Sequence, residues 1–425
     1  RGFVVWAEIP FISVMNEDPL AHENCITQLK ELIYQNDHHP SICFWGISNE
    51  ILIGGISEKL VENHRELNAL AKKIDPYRLT TIAHVTMTPK DGPMHEITDV
   101  ESYNHYFGWY GGKTEDNGPW MDEYHEKYPN RCIGLSEYGC EGIITYQGEN
   151  PKCKDYSEAY QAGYHEYMAH MLERRPWIFC SYVWNMFDFA ADARNEGGEN
   201  GMNHKGLVTF DRKYKKDAFY AYKAWLSDEP FVHICGKRYV DRVENVTKVT
   251  VYSNQKTVEL FANGESLGKK EASDHFFYFE VPNHGETKLL AVAGECRDES
   301  FIKKVEKFNE AYRLTEKGAV LNWFDITAPD GFFSLNDTVG DIMSNEDGNK
   351  VMQELFQSFG QAKAQGGGMN SGMMKMLSGF TVLRMINMMG LTSQMTSQPG
   401  EAEKTNEVSK EQLLAINDRL NQIRK

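Results

Sequence analysis

The chain has no Cys-x-x-Cys pair among its 8 cysteines, no long uninterrupted apolar run and no excess of basic residues. Each absence excludes something. Without closely spaced cysteines there is neither a zinc ribbon nor a thioredoxin-like redox motif. Cysteines scattered through the chain, several inside apolar strand candidates, point to a reducing, cytoplasmic setting rather than a disulfide scaffold. A membrane helix needs about 18 consecutive apolar residues, and none of that length occurs, so no membrane partner is expected. Forty-five Lys and Arg against 61 Asp and Glu leave a net charge of −16, which excludes nucleic acid as a partner. The opening is also uncapped: Phe3-Val4-Val5-Trp6-Ala7-Glu8 reads as a strand almost from the first residue.

What is present is ordinary globular composition, 41% hydrophobic and 25% charged, with aromatics at 12%. Residues 1–228 alternate strand and helix. Strands fall at Phe3–Pro10, around Ile42–Ile47, at Thr80–Val85, Asp99–Tyr103, Cys132–Leu135 and Trp177–Trp184. Asp18-Pro19, Ser57 and Ser157 open helices between them. This alternation specifies a parallel sheet covered by helices, α/β in class and a (β/α)8 barrel in kind. Six strands are countable where a closed barrel needs eight, so the barrel is expected to lack its first two. From 229 to 310 the period drops to two, with turns at Asn263-Gly264 and His284-Gly285, as in a β-sandwich of immunoglobulin-like type. Residues 311–360 read as a linker with short packed segments, among them Asn322-Trp323-Phe324. Residues 361–425 read as a flexible Gly- and Met-rich linker followed by C-terminal helices. There Ser409 to Gln412 forms a capping box, and Leu413, Ile416, Leu420 and Ile423 form a stripe that docks on its own protein or, as the lesser reading, makes a homo-oligomer contact.

Two strands end alike. Ile42 to Glu50 and Arg131 to Glu137 each run through apolar residues and deliver a glutamate at the carboxyl end. In an alternating barrel that end carries the catalytic groups. Two carboxylates from different strands are what glycoside hydrolysis uses, one as acid and one as base or nucleophile. Spacing alone weighs this evenly against a pair of salt-bridged rim glutamates.

The surrounding text shifts the balance. Ser48-Asn49-Glu50, Ser136-Glu137-Tyr138-Gly139, Asn104-His105-Tyr106-Phe107-Gly108-Trp109-Tyr110 and Trp184-Asn185-Met186-Phe187-Asp188-Phe189 occur in that spatially meaningful set. Together they resemble four motifs of glycoside hydrolase family 2, over roughly residues 1–310. The resemblance implies retaining hydrolysis, with Glu50 as general acid/base and Glu137 as nucleophile. It further implies Asn49 at the sugar 2-hydroxyl, Asn104 and Tyr106 lining the subsite beside the nucleophile, and Trp184 as a sugar platform. It also implies a sugar-binding jelly roll and a sandwich upstream, so N-terminal domains of the same protein are expected as partners.

Some members of the family bind magnesium through a Glu and a His after the third strand. Ile12 and Val14 occupy those positions here, so no metal and no cofactor are expected. His105 and His204 are expected to be packed or hydrogen-bonded. Asn203-His204-Lys205-Gly206 resembles the carboxylate clamp of β-glucuronidases, which makes Asn203 and Lys205 substrate-binding candidates. The stretch from Lys205 to Tyr220 looks more like bacterial β-galactosidases. The expected substrate is therefore a terminal β-galactoside, small or oligosaccharide. A β-glucuronide is the alternative, and a non-catalytic glycan-binding fragment is the reading from another class.

Overall fold

The computed structural model describes residues 2–191, 199, 201–314, 327–360, 378, 381–382, 385 and 410–425. The readings at Asn322-Trp323-Phe324, across most of the Gly- and Met-rich stretch and at the Ser409 cap lie outside the described residues. The chain divides into two compact units, Arg1–Phe189 with His204–Leu314, and Ala190–Asn203 with Thr315–Lys425.

In the first unit six strands lie side by side in chain order. They are β1 (Val5–Glu8), β2 (Ile42–Asn49), β3 (Leu79–Val85), β4 (Val100–His105), β5 (Ile133–Tyr138) and β6 (Ser181–Val183). Every neighbouring pair is parallel. Parallel neighbours need crossover connections, and helices supply most of them. Helix α1 (Pro19–Asn36) starts where the Asp18 carboxylate accepts the Leu20 N–H at 2.8 Å, with Pro19 in the first helical position. Helix α2 (Glu58–Ile74) starts on Ser57 in the same way. Helices α3 (Asn117–Lys127), α4 (Glu158–Glu173) and α5 (Asp217–Leu226) follow. The link from β3 to β4 carries turns instead, because Pro89, Gly92 and Pro93 fall within it. Strand β6 is shorter than the run expected from Trp177, since Trp177 stacks on His125 of α3 with ring centroids 4.1 Å apart.

The two faces of the sheet differ. Trp45, Ile47 and Ile82 point outward into a core closed by Leu29 and Ile33 of α1 and by Leu60, Leu67 and Ala71 of α2. The opposite face mixes aromatic rings, Trp6, Phe44, Phe179 and Tyr182, with glycines and the carboxylates. A Cβ on Gly46 would stand 2.7 Å from the Glu8 side chain, and one on Gly134 would meet Cys180, Phe179 and Ser102. The outer, apolar face anchors the strands, and the inner face holds the candidate chemistry.

After Phe231 the chain forms a five-stranded and a three-stranded sheet. Val249, Val251, Phe277 and Phe279 of one sheet share a core with Val258, Leu260, Leu289, Ala291 and Ile302 of the other. The strand Glu265–Glu271 escapes sequence reading because nearly every residue in it is polar, as suits an edge. Asn263 and Gly264, at φ 48° and 88°, make the tight turn that leads into it.

Ala169, Ala221 and Ala224 of the helical layer pack on Phe231, Tyr252 and Phe276 of the sandwich. Beside them buried Glu158 of α4 takes Arg238 in a two-armed pair, one arm at 2.8 Å.

In the second unit the helices Val339–Ser344, Glu346–Gly360 and Lys410–Leu420 bury Ile342, Met352 and Leu420. Asn417 ties the last helix down, accepting the Leu335 N–H at 3.0 Å and donating to the Thr327 carbonyl at 2.8 Å. No helix among the described residues is long and apolar enough to cross a membrane.

Replacing one partner of a buried pair strands the other as an uncompensated charge. Arg238→Met is expected to cost about 3–5 kcal/mol of unfolding free energy by urea denaturation. A loss close to zero would contradict a clamp at this junction.

Candidate active site

Glu50 and Glu137 stand at the carboxyl ends of β2 and β5, with β3 and β4 between them. A bulge places the first. The register between β2 and β3 shifts between Gly46 and Asn49, so Ser48 turns outward to donate to His64 Nε2 at 2.7 Å. Asn49 then falls on the inner face, where it accepts from Asn104. Glu50 follows in the left-handed region at φ 49°, its N–H on the Ala83 carbonyl at 2.8 Å. A non-glycine residue held there marks strain maintained by its surroundings, which is common at functional sites.

Strand β4 bridges the two carboxylates. Buried Asn104 donates from Nδ2 to Asn49 Oδ1 at 2.9 Å and to Glu50 Oε1 at 3.1 Å, while its Oδ1 accepts Ser136 Oγ at 2.6 Å. Two residues on, the Tyr106 hydroxyl donates to Glu137 Oε2 at 2.5 Å. Burial raises the Glu50 carboxyl above its ordinary range, against the Asn104 bond and the Lys205 charge. Burial, with the negative charge of Glu50, pushes Glu137 up to about 8, against the Tyr106 bond. The negative charge of Glu50 thus adds to the effect of burial on Glu137, so the two carboxyls influence one another's titration.

Trp184 follows β6. Its N–H donates to the Tyr138 carbonyl at 2.9 Å, and its ring stands edge-on to Phe189 with centroids 5.7 Å apart. Gly139 lets this happen, because a Cβ there would stand 2.3 Å from the Trp184 carbonyl oxygen. Lys205 is fully buried and donates to the Tyr110 hydroxyl at 2.7 Å, with Glu141 Oε1 at 3.6 Å. Its charge opposes the rise at both Glu50 and Glu137. Glu50, Glu137, Asn49, Asn104, Tyr106, Trp184 and Lys205 thus belong to one unit, whereas Asn203 groups with the second unit. His105 is packed among Tyr103, Phe107 and Trp120, and His204 Nδ1 lies 3.2 Å from Asp188 Oδ2.

Sequence reasoning passed over Glu8, Tyr110, Glu141, Asp188 and Lys216. Glu8 had a signal, since β1 also ends in a carboxylate. It lies against Gly46, receives the Trp6 indole N–H at 2.9 Å, and adds to the negative field that raises Glu137. Among the described residues two buried groupings have the residue types of metal sites, His84 with His95 and Glu101, and Asp217 with His233 and Cys235. Hydrogen bonds engage part of each: His95 spans Glu101 at 2.5 Å and the Pro89 carbonyl at 2.7 Å, and His233 meets Asp217 at 2.9 Å.

The family model described as glycosyl hydrolases family 2, TIM barrel domain, matches residues 2–227, and one for a domain of unknown function matches 244–295. A β-glucuronidase of Bacteroides fragilis is 40% identical over 288 residues, which are 65% of this chain and 41% of that protein. Among solved structures, one titled as an FMN-binding β-glucuronidase from Facaelibacterium prausnitzii L2-6 is 58% identical. It superposes with a TM-score of 0.72 over 74% of this chain and 49% of its own. A putative β-galactosidase from Bacteroides fragilis is 35% identical, with a TM-score of 0.68 over 72% of this chain and 47% of its own. The chain spans less than half the length of each of these relatives.

Burial pushes Glu8 up to about 7 from its ordinary 4.5, against the Trp6 bond. A raised native value means the folded state holds this proton the more tightly, so its contribution is full below 4.5 and is lost as pH rises through about 7. Glu8→Gln cannot ionise. Its thermal midpoint relative to wild type is expected to climb across that window, and a gap independent of pH would contradict the burial of this carboxyl.

Proposed function

The chain belongs to glycoside hydrolase family 2, and we propose that it carries the catalytic pair of a retaining β-glucuronidase. Glu137 attacks the anomeric carbon as the bond to the aglycone breaks, and Glu50 gives its proton to the departing oxygen. Glu50, now a carboxylate, then takes a proton from water as that water attacks the same carbon and frees Glu137. Burial is the main cause that raises Glu137; a proton on Glu50 removes the repulsion that adds to it, and the Tyr106 bond and the Lys205 charge favour the ionised nucleophile. Tyr106 orients Glu137 through its hydroxyl, Asn49 and Asn104 address the sugar hydroxyls near the nucleophile, and Trp184 carries the sugar's apolar face.

The observation that carries the choice of sugar is Lys205, a buried ammonium whose field reaches both carboxylates. A buried cation beside a glycosidic pair favours a sugar that brings its own carboxylate. Relatives named β-glucuronidase at 40% and 58% identity support the same choice. The galactoside expected from the wording after Lys205 stands second, supported by the putative β-galactosidase at 35%.

The 4-nitrophenyl β-D-glucuronide and β-D-galactoside distinguish these readings. The account expects kcat/KM for the glucuronide to exceed that for the galactoside by roughly tenfold or more. The reverse order would move the assignment to galactosides. Glu137→Gln is expected to lose at least about 10³-fold in kcat on either sugar. Sugar binding without turnover, unchanged by that substitution, would instead favour a glycan-binding module. Glu50→Ala is expected to impair alkyl glycosides far more than aryl ones with good leaving groups, and equal losses would remove it from the acid role.

A further inference from the structure

Lys205 sits on a short loop, and what fixes that loop is a second lysine with no access to solvent. Lys216 donates to Asp188 Oδ1 at 2.7 Å, to the Gly142 carbonyl at 2.6 Å and to the His204 carbonyl at 3.0 Å. An ammonium has three N–H donors, and all three are used. Asp188 Oδ1 also accepts the Gly206 N–H at 2.9 Å, and Glu141 Oε2 accepts the His204 N–H at 3.1 Å. Gln161 reaches the same loop from α4, donating to the Gly206 carbonyl at 3.2 Å. Gly206 must be glycine, since a Cβ there would stand 2.0 Å from the Asp188 nitrogen. The backbone on both sides of Lys205 is therefore held by Lys216, Asp188 and Glu141.

Charge fixes the partners as well. The buried knot holds two lysines, 205 and 216, and two carboxylates, Asp188 and Glu141. Lys216 engages Asp188, while Lys205 bonds Tyr110 at 2.7 Å and stands 3.6 Å from Glu141. Without Lys216 the His204 and Gly142 carbonyls and Asp188 lose the ammonium that joins them, and the loop carrying Lys205 loses that tie.

We infer that Lys216, paired with Asp188, is a positioning residue for sugar specificity, holding Lys205 where a substrate carboxylate meets it. Lys216 touches no substrate; it acts through the loop. The inference rests on the glucuronide reading and adds the device that makes Lys205 selective.

The test uses Lys216→Met and the double variant Asp188→Asn/Lys216→Met, which removes both buried charges and leaves no stranded carboxylate. For each, kcat and KM are measured on the two 4-nitrophenyl glycosides, and D-glucuronate binding is followed by calorimetry, which needs no turnover. Displacing Lys205 is expected to weaken glucuronate binding and raise KM for the glucuronide by roughly tenfold to hundredfold. Kinetics on the galactoside should change by less than about threefold. Equal losses on both sugars, or unchanged glucuronate affinity in whichever variant folds, would overturn the inference. If wild type binds no glucuronate and prefers the galactoside, the parent reading fails instead, and the two failures are distinct.

Discussion

The candidate site depends on one side-chain amide. Asn104 of β4 reaches Asn49 and Glu50 at the end of β2 and accepts Ser136 of β5, so it ties together strands that are not neighbours. An amide can do this because it offers donors and an acceptor from one rigid plane. Asn104 is buried, so each of these bonds forms in a low dielectric, where a lost partner is costly. The register of the parallel sheet brings Asn104 level with Glu137, and the bulge in β2 turns Asn49 to the same face. Remove the amide, and Glu50 loses its side-chain tie to β4, while Glu137 keeps its bond from Tyr106.

Around this tie the electrostatics are those of a deliberately crowded interior. Glu8, Glu50 and Glu137 are all raised chiefly by burial, and Lys205 is the nearby cation whose field counters that rise at the catalytic pair. Three carboxyls that resist ionisation cost stability near neutral pH. The apolar layer of Trp45, Ile47, Leu29, Ile33 and Leu67 on the other side of the sheet provides the opposing stabilisation. One face anchors the strands, and the other holds groups in states they would not adopt in water.

Much of this was legible in the sequence. Glu50 and Glu137 showed themselves as carboxylates ending apolar strands, whereas Asn104 and Tyr106 stood out only through the resemblance of their segment to a family motif. Asp18, Ser57 and Ser157 announced their helices because capping is a local event. What escaped was set by tertiary context. The Glu265–Glu271 strand has almost no apolar residue to report it, and β6 was overestimated because Trp177 belongs to the helical layer. Lys216 lies in a run with Arg212, Lys213 and Lys215 that reads as solvated surface, yet it is fully buried. The galactosidase-like wording after Lys205 falls in this stretch, where residues such as Gly206 and Lys216 serve the loop's backbone. It therefore says more about how the loop is built than about which sugar it faces.

The central claim is that Glu137 is the nucleophile of a retaining enzyme acting on uronides. A 2-deoxy-2-fluoro-β-D-glucuronyl fluoride tests it directly, because the fluorine slows the second step and leaves the sugar on the enzyme as an ester. Intact mass followed by peptide mapping should find one adduct, on the peptide carrying Glu137. An adduct on Glu50 or Glu8 would contradict the assignment. No adduct with the glucuronyl reagent, together with a Glu137 adduct from its galactosyl counterpart, would retain the mechanism and overturn the sugar.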